Sequence, residues 1–383
     1  MRHSTERILT SHVGSLPRPA DVVDMIVRKL HDEEVDAGRL KSRVRAAVSE
    51  VVRHQADIGI DVVSDGEMSK PGFSNYIIER YTGFGGSPVS GTPTDMLEFP
   101  NVRKRWSASH ADTRAHRLLE CVGPIGLRDE GALAEDVDNL KAALAGVDVA
   151  EAFIPAVTPG QISFNFPNRY YPSHEAYLEA AADAMRTEYR TIADAGYVLQ
   201  LDAPDMALSA HVTWGKADDR PPFQRRLELA VEAINHAIDG IPPAQVRLHI
   251  CWGNYVGPHH HDVPLKDIVA TILKAKVGGL SFEAANPRHE HEWEVFREVR
   301  LPPDMILLPG VIDTKTHHIE HPRLIAQRLG RYAGLVGREN VIASTDCGFS
   351  TWVGQCLIDE DVAWAKLAAM VEGAREATKE LWR

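Results

Sequence analysis

His249 and Cys251 stand two positions apart in a run of apolar and β-branched residues, VRLHICWG (246–253). In an extended strand that spacing puts both side chains on one face. Imidazole and thiolate are favoured zinc ligands. Glu283 ends the next such run, GLSFEAAN (279–286), and Cys347 lies near the end of the last, VIASTDCG (341–348). Two sulfurs argue against magnesium or calcium, which take oxygen ligands. Zinc accepts a mixed set of four. The chemistry expected of such a centre is thiol activation. A thiol bound to zinc is deprotonated near neutral pH and remains nucleophilic, which suits alkyl transfer to sulfur. Taken singly, Cys251 also reads as a small buried hydrophobe and Glu283 as a paired core carboxylate. Cys121 and Cys356 fall off the pattern and read as structural.

Ligands this far apart need a scaffold that brings strand ends together. Eight β-branched runs occur, at 8–15, 61–67, 152–158, 197–204, 246–253, 279–286, 305–313 and 341–348. Between them, residues 39–58, 174–195, 225–239, 264–275, 322–335 and 360–379 carry helical spacing. Strand–helix alternation implies parallel strands with right-handed crossovers. Eight units predict a single α/β domain over 1–383, a (β/α)8 TIM barrel; an open doubly wound sheet is the alternative. Residues 80–125, rich in Gly and Pro, do not fit a bare strand–helix unit. They read as an insertion after the second strand, a hairpin beside the active site. Polar residues recur where the strands end: His12 and Ser15, Asp65 and Glu67, Asp202, Asp313. On a closed barrel these ends share one rim.

The chain has 383 residues, 44% of them hydrophobic, and a formal charge of −12. Disorder is excluded by the first figure, and the charge disfavours nucleic acid and anionic membranes as partners. There is no apolar run long enough for a membrane span and no apolar signal core at the N-terminus, so a cytoplasmic protein is expected. Four cysteines are too few for a disulfide framework at this length. The expected partners are small molecules, a thiol and an alkyl donor; a homo-oligomer is left open. His259, His260 and His261, like His289, His291, His317, His318 and His321, read as solvated or substrate-facing loop residues rather than a second metal site.

The ordered set HVGSLPRP, VVSDGE, VLQLDAP, HIC, FEAAN, PGVID and STDCG resembles the catalytic barrel of the cobalamin-independent methionine synthase family, over nearly the whole chain. The resemblance implies zinc at His249, Cys251, Glu283 and Cys347. It also implies that Val13-Gly14-Ser15, Glu67 and Asp202 hold the amino-acid part of homocysteine. Gly14 lets backbone approach a ligand, Ser15 donates to a carboxylate, and Glu67 with Asp202 accepts from an ammonium. The family's Asp-Glu-Pro is Asp202-Ala203-Pro204 here, and Lys315 stands nearest its late histidine. Asp313 and Lys315 are thus the candidate catalytic pair, with Lys315 or a nearby histidine protonating the leaving group. In place of the family's folate-stacking tryptophan region stands TPGQISFNFPNRYY.

The opening SHVGSLPRP and the loop CWGNYVGPHHHDVPL are also similar to the short-chain branch that includes epoxyalkane:coenzyme M transferase. There the thiol would carry a sulfonate, and His12, Arg18 and Lys315 are the basic candidates to bind it. Methyl transfer to homocysteine or a related thiol is the leading expectation. Epoxide opening is its rival within the same chemistry. A metal-free decarboxylase on the same barrel and a non-catalytic zinc protein are the rivals outside it.

Overall fold

The computed structural model describes residues 1–89, 91–109, 118–213, 220–355 and 357–383; Cys356 and part of the expected insertion lie outside these. Eight parallel strands run in chain order around one sheet: β1 (Leu9–Thr10), β2 (Val62–Ser64), β3 (Glu151–Val157), β4 (Val198–Asp202), β5 (Val246–Ile250), β6 (Gly279–Phe282), β7 (Ile306–Ile312) and β8 (Ile342–Thr345). β1 pairs with β8, Leu9 opposite Ile342. Between β1 and β2 the sheet is joined through Asp61, whose N–H donates to Thr10 O at 3.2 Å and whose Oδ2 accepts from Thr10 N at 2.9 Å. This is the expected (β/α)8 barrel, with each predicted strand in place.

Helices cover the outside: α1 (Ala20–Leu30), α2 (Ala37–Ile58), α3 (Glu130–Ala143), α4 (His174–Asp194), α5 (Phe223–Ala237), α6 (Leu265–Ile272), α7 (Pro322–Val336) and α8 (Glu360–Leu381). Their starts follow from capping residues whose side chains accept the first free N–H groups: Asp36 from Arg39, Asp129 from Gly131, Ser173 from Ala176, Asp359 from Asp361. On α2, Val44, Val48, Val51 and Val52 are buried, a stripe with helical spacing. Of these eight helices, α1 and α3 have no counterpart among the predicted stretches. The crossover from β6 to β7 is a short 3-10 segment, Glu290–Arg297.

Inside the barrel, Leu9, Ile306, Leu308 and Ile342 pack as one layer, and Val62, Phe153 and Val198 as another. Arg247 lies buried above them. It donates to Gln200 Oε1, Ser11 Oγ and His12 O at 2.8–2.9 Å, and its guanidinium lies 3.7 Å from the Phe153 ring centre. Such a charge is tolerated in a core only with its donors satisfied.

After β2 the chain makes an antiparallel pair, Phe84–Val89 with Leu118–Cys121. Thr92–Pro93 then pairs with Val212–Thr213 in the loop after β4. Asp95 is buried, and its Oδ2 accepts from Tyr255 Oη (2.8 Å) and His259 N (2.7 Å) in the loop after β5. The excursion is therefore bound across the rim at the C-terminal ends of β4 and β5.

Candidate metal centre and substrate site

The strand register explains which residues meet. Ile250 pairs with Phe282, so Cys251 and Glu283 leave adjacent strands at one level. Asp202 pairs with His249 across β4 and β5. The donor atoms of His249, Cys251 and Cys347 lie within 4.8 Å of one another, and Cys251 Sγ is 3.6 Å from Cys347 Sγ. All three are buried. His249 Nδ1 lies 3.3 Å from Ser281 Oγ, which fixes the ring, while Nε2 is buried and has no hydrogen-bond partner among the described residues. Burial lowers the pKa of His249 to about 3, leaving it neutral and able to offer a lone pair. The hydrogen bond to Cys347, reinforced by burial, holds the Cys251 thiol well above its usual range in the absence of a cation. An orphaned imidazole nitrogen beside two sulfurs fits zinc.

Glu283 stands beside this trio but faces other partners. Oε1 accepts from Trp252 N at 2.8 Å; Oε2 accepts from Asn286 Nδ2 (2.8 Å) and from Lys315 Nζ (2.6 Å). Burial would raise its pKa, but the charges of Lys315 and His289 outweigh that and lower it. Burial would release the Lys315 proton, and the Glu283 charge more than reverses this, so Lys315 holds its proton above its ordinary range. A lysine so held is a poor acid near neutral pH, which weighs against the expected proton donor. Asp313 Oδ1 accepts from Lys315 N (3.0 Å) and shapes this turn.

The expected substrate residues divide into two groups. Gly14, Ser15, Glu67 and Asp202 come together. Gly14 has φ +139°, and a Cβ there would meet Pro155 Cγ at 2.7 Å and Glu67 Oε1 at 3.8 Å. Glu67 itself has φ +58°, and its Oε2 is buried without a hydrogen-bond partner among the described residues. Asp202 Oδ1 accepts from Gln200 Nε2 at 2.8 Å. Burial, then the charge of Glu67, pushes the Asp202 carboxyl well up; burial likewise raises Glu67. The Glu67 oxygen left without a partner among the described residues is an acceptor that a cationic group would fit. Ser15 sits against the segment after Cys347: Ser15 O accepts from Phe349 N at 2.9 Å, and a Cβ on Gly348 would fall 2.0 Å from Ser15 Oγ.

His12 and Arg18 are committed elsewhere. His12 Nδ1 accepts from Gly14 N (3.2 Å), Nε2 donates to Gln55 Oε1 (2.8 Å), and burial keeps the ring neutral, with a pKa near 3. Arg18 makes five hydrogen bonds at 2.7–3.1 Å, to Glu67 O twice, Lys70 O, Ser350 O and Ser350 Oγ. A guanidinium has five N–H groups, so none remains for a substrate anion. Arg18 holds the turn that carries Glu67.

Sequence reasoning missed the residues that hold the rim. Asp346 accepts from Ala284 N, Ala285 N, Asn286 N and Asn286 Nδ2 at 2.8–2.9 Å, tying the Glu283 loop to Cys347. Asn254 Nδ2 reaches Gly348 O at 2.9 Å and Thr351 Oγ1 at 2.6 Å. Their only signal was adjacency, in Thr-Asp-Cys and Trp-Gly-Asn. Asp262 is enclosed by His211, His259 and His289 at 2.9–3.1 Å, and Trp252 stacks on His289.

A family model described as cobalamin-independent synthase, catalytic domain, matches residues 8–87 and 162–376. The methionine synthase of Saccharolobus solfataricus is 26% identical over 383 residues, covering 98% of this chain and 96% of that protein. The methionine synthase of Pyrococcus furiosus is 26% identical over 379 residues, covering 97% and 93%. Among solved structures, a B12-independent methionine synthase from Shewanella sp. W3-18-1, in complex with selenomethionine, superposes with a TM-score of 0.74 at 19% identity, covering 98% of this chain and 99% of that one.

Proposed function

From the premise that the chain belongs to the cobalamin-independent synthase catalytic-domain family, we propose that it is a zinc-dependent methyltransferase whose acceptor is a thiol, homocysteine or a close relative. The observation that carries this is the buried His249, Cys251 and Cys347 cluster, with an imidazole nitrogen that has no partner among the described residues. Zinc held by His249, Cys251 and Cys347, with Glu283 beside them, would supply a Lewis acid that keeps a thiol deprotonated near neutral pH.

The chain's own residues bind and orient. Glu67 and Asp202 take the acceptor's ammonium, Glu67 through the oxygen that no described residue bonds. Ser15 takes its carboxylate from the turn that Gly14 opens. Arg18, by holding Glu67 and Lys70 through their carbonyls, fixes the subsite. Asp346 and Asn254 lock the loops around the cysteines, and fixed approach of this kind lowers a bimolecular barrier by several kcal/mol. Lys315 neutralises Glu283 instead of delivering a proton. Epoxide opening by a sulfonate-bearing thiol loses support, because the hydrogen-bonding groups of Arg18 and His12 are engaged within the protein and Lys315 is paired with Glu283.

Cys251→Ser is expected to lose bound zinc and turnover together, measured by metal analysis and by methionine formed from homocysteine. Full turnover with normal metal content would refute the assignment.

A further inference from the structure

The loop after β5 carries three consecutive histidines, and the proposed reaction uses none of them. His259 is buried on Asp262 and Tyr255 O. The next two lie near the surface against Glu98 of the excursion. His260 Nε2 is 3.0 Å from Glu98 Oε2, and His261 Nε2 is 2.8 Å from Glu98 Oε1. The three donor atoms lie within 4.8 Å of one another. The far nitrogen of His261, Nδ1, lies 2.7 Å from Thr94 Oγ1.

Proteins orient metal-binding imidazoles by a polar partner on the ring nitrogen that does not ligate, and Thr94 holds that place on His261. Two imidazoles and a carboxylate form a zinc-type set with a position left for water. Without an ion, Nε2–H groups donate to the carboxylate, so the site is assembled by its own hydrogen bonds. Calcium and magnesium, which prefer all-oxygen sites, do not suit it.

We propose that Glu98, His260 and His261 form a second divalent transition-metal site, distinct from the cysteine centre, that clips the excursion to the loop after β5. The same two segments are already joined underneath, where Asp95 accepts from Tyr255 and His259. A cation at the surface adds a second tie to the loop that begins at Cys251. The proposal does not depend on the methyltransferase reading.

The test is zinc stoichiometry by equilibrium dialysis of the intact protein at micromolar free zinc. Wild type is expected to hold one equivalent more than His260→Ala/His261→Ala, whatever the cysteine centre contributes to both. Thr94→Val is expected to weaken the extra equivalent about 10–100-fold, the usual cost of removing an orienting partner. Offered as cobalt to zinc-loaded protein, the extra ion is expected to lack thiolate-to-metal charge-transfer absorption. Equal stoichiometry in wild type and the double variant, or a thiolate band on the extra ion, would overturn the proposal.

Discussion

At the scale of single residues, a polar side chain's role is decided by where its donors and acceptors go. His249 and Arg18 make the contrast. Both are buried beside the rim, but His249 keeps one nitrogen without a partner among the described residues, while all five N–H groups of Arg18 are engaged. Arg18→Met should therefore leave four buried acceptors short of a donor and cost about 3–5 kcal/mol. Urea unfolding measures that, and KM for the acceptor thiol should rise as the Glu67 turn loosens. Loss of stability below 1 kcal/mol, on the order of a surface change, would contradict this role. His249 and Cys251 were legible because strand period fixes a face, and Cys347 because the strand ends of a barrel share one rim. The commitments of Arg18, His12 and Lys315 were not, because sequence reveals a charge but not its partners.

At the scale of elements, three loops meet on Asp262. His211 comes from the segment after β4, His259 from that after β5, and His289 from that after β6. Burial disfavours a charged His289, yet hydrogen bonds to Asp262 and Glu292 outweigh it and raise its pKa from 6.5 to about 9. A group raised on folding stabilises fully below its unfolded pKa and loses that contribution as pH climbs through the folded one. Stability should thus fall between pH 6.5 and about 9, by at most about 3 kcal/mol. Melting temperature against pH, compared between wild type and His289→Gln, isolates this slope; parallel curves would exclude it. The strands were readable from β-branched runs bounded by Gly, Pro and Asp. Helices α1 and α3 were not. On α3, Asp136 and Asn139 share the buried face with Leu133 and Leu140 and blur the apolar period.

At the scale of the whole molecule, eight strand units implied a closed barrel; with β1 paired to β8, closure rests on the junction between β1 and β2. Closure is uneven. β3 and β4 share five residue pairs, whereas β1 meets β2 through Asp61, which also holds Arg7 at 2.8 Å. Asp61→Ala should remove this junction's side-chain bonds and cost about 1–3 kcal/mol, read as a lower urea midpoint with an unchanged slope. A midpoint equal to wild type would mean that packing alone closes the seam. The sequence could not show which junction is thinnest, since that depends on how far each strand runs against its neighbour.

The contact of Ser15 with Gly348 sets a length. On one side lie the groups assigned to the acceptor's charged head, on the other the sulfurs of the metal cluster, and the Phe349 N–H fastens the two together. A site built this way works as a gauge for chain length, because neither end can shift to meet a shorter guest. Cysteine, one methylene shorter than homocysteine, should be turned over with kcat/KM lower by about 10–200-fold. Gly348→Ala, which drives a methyl into Ser15, should shrink that preference.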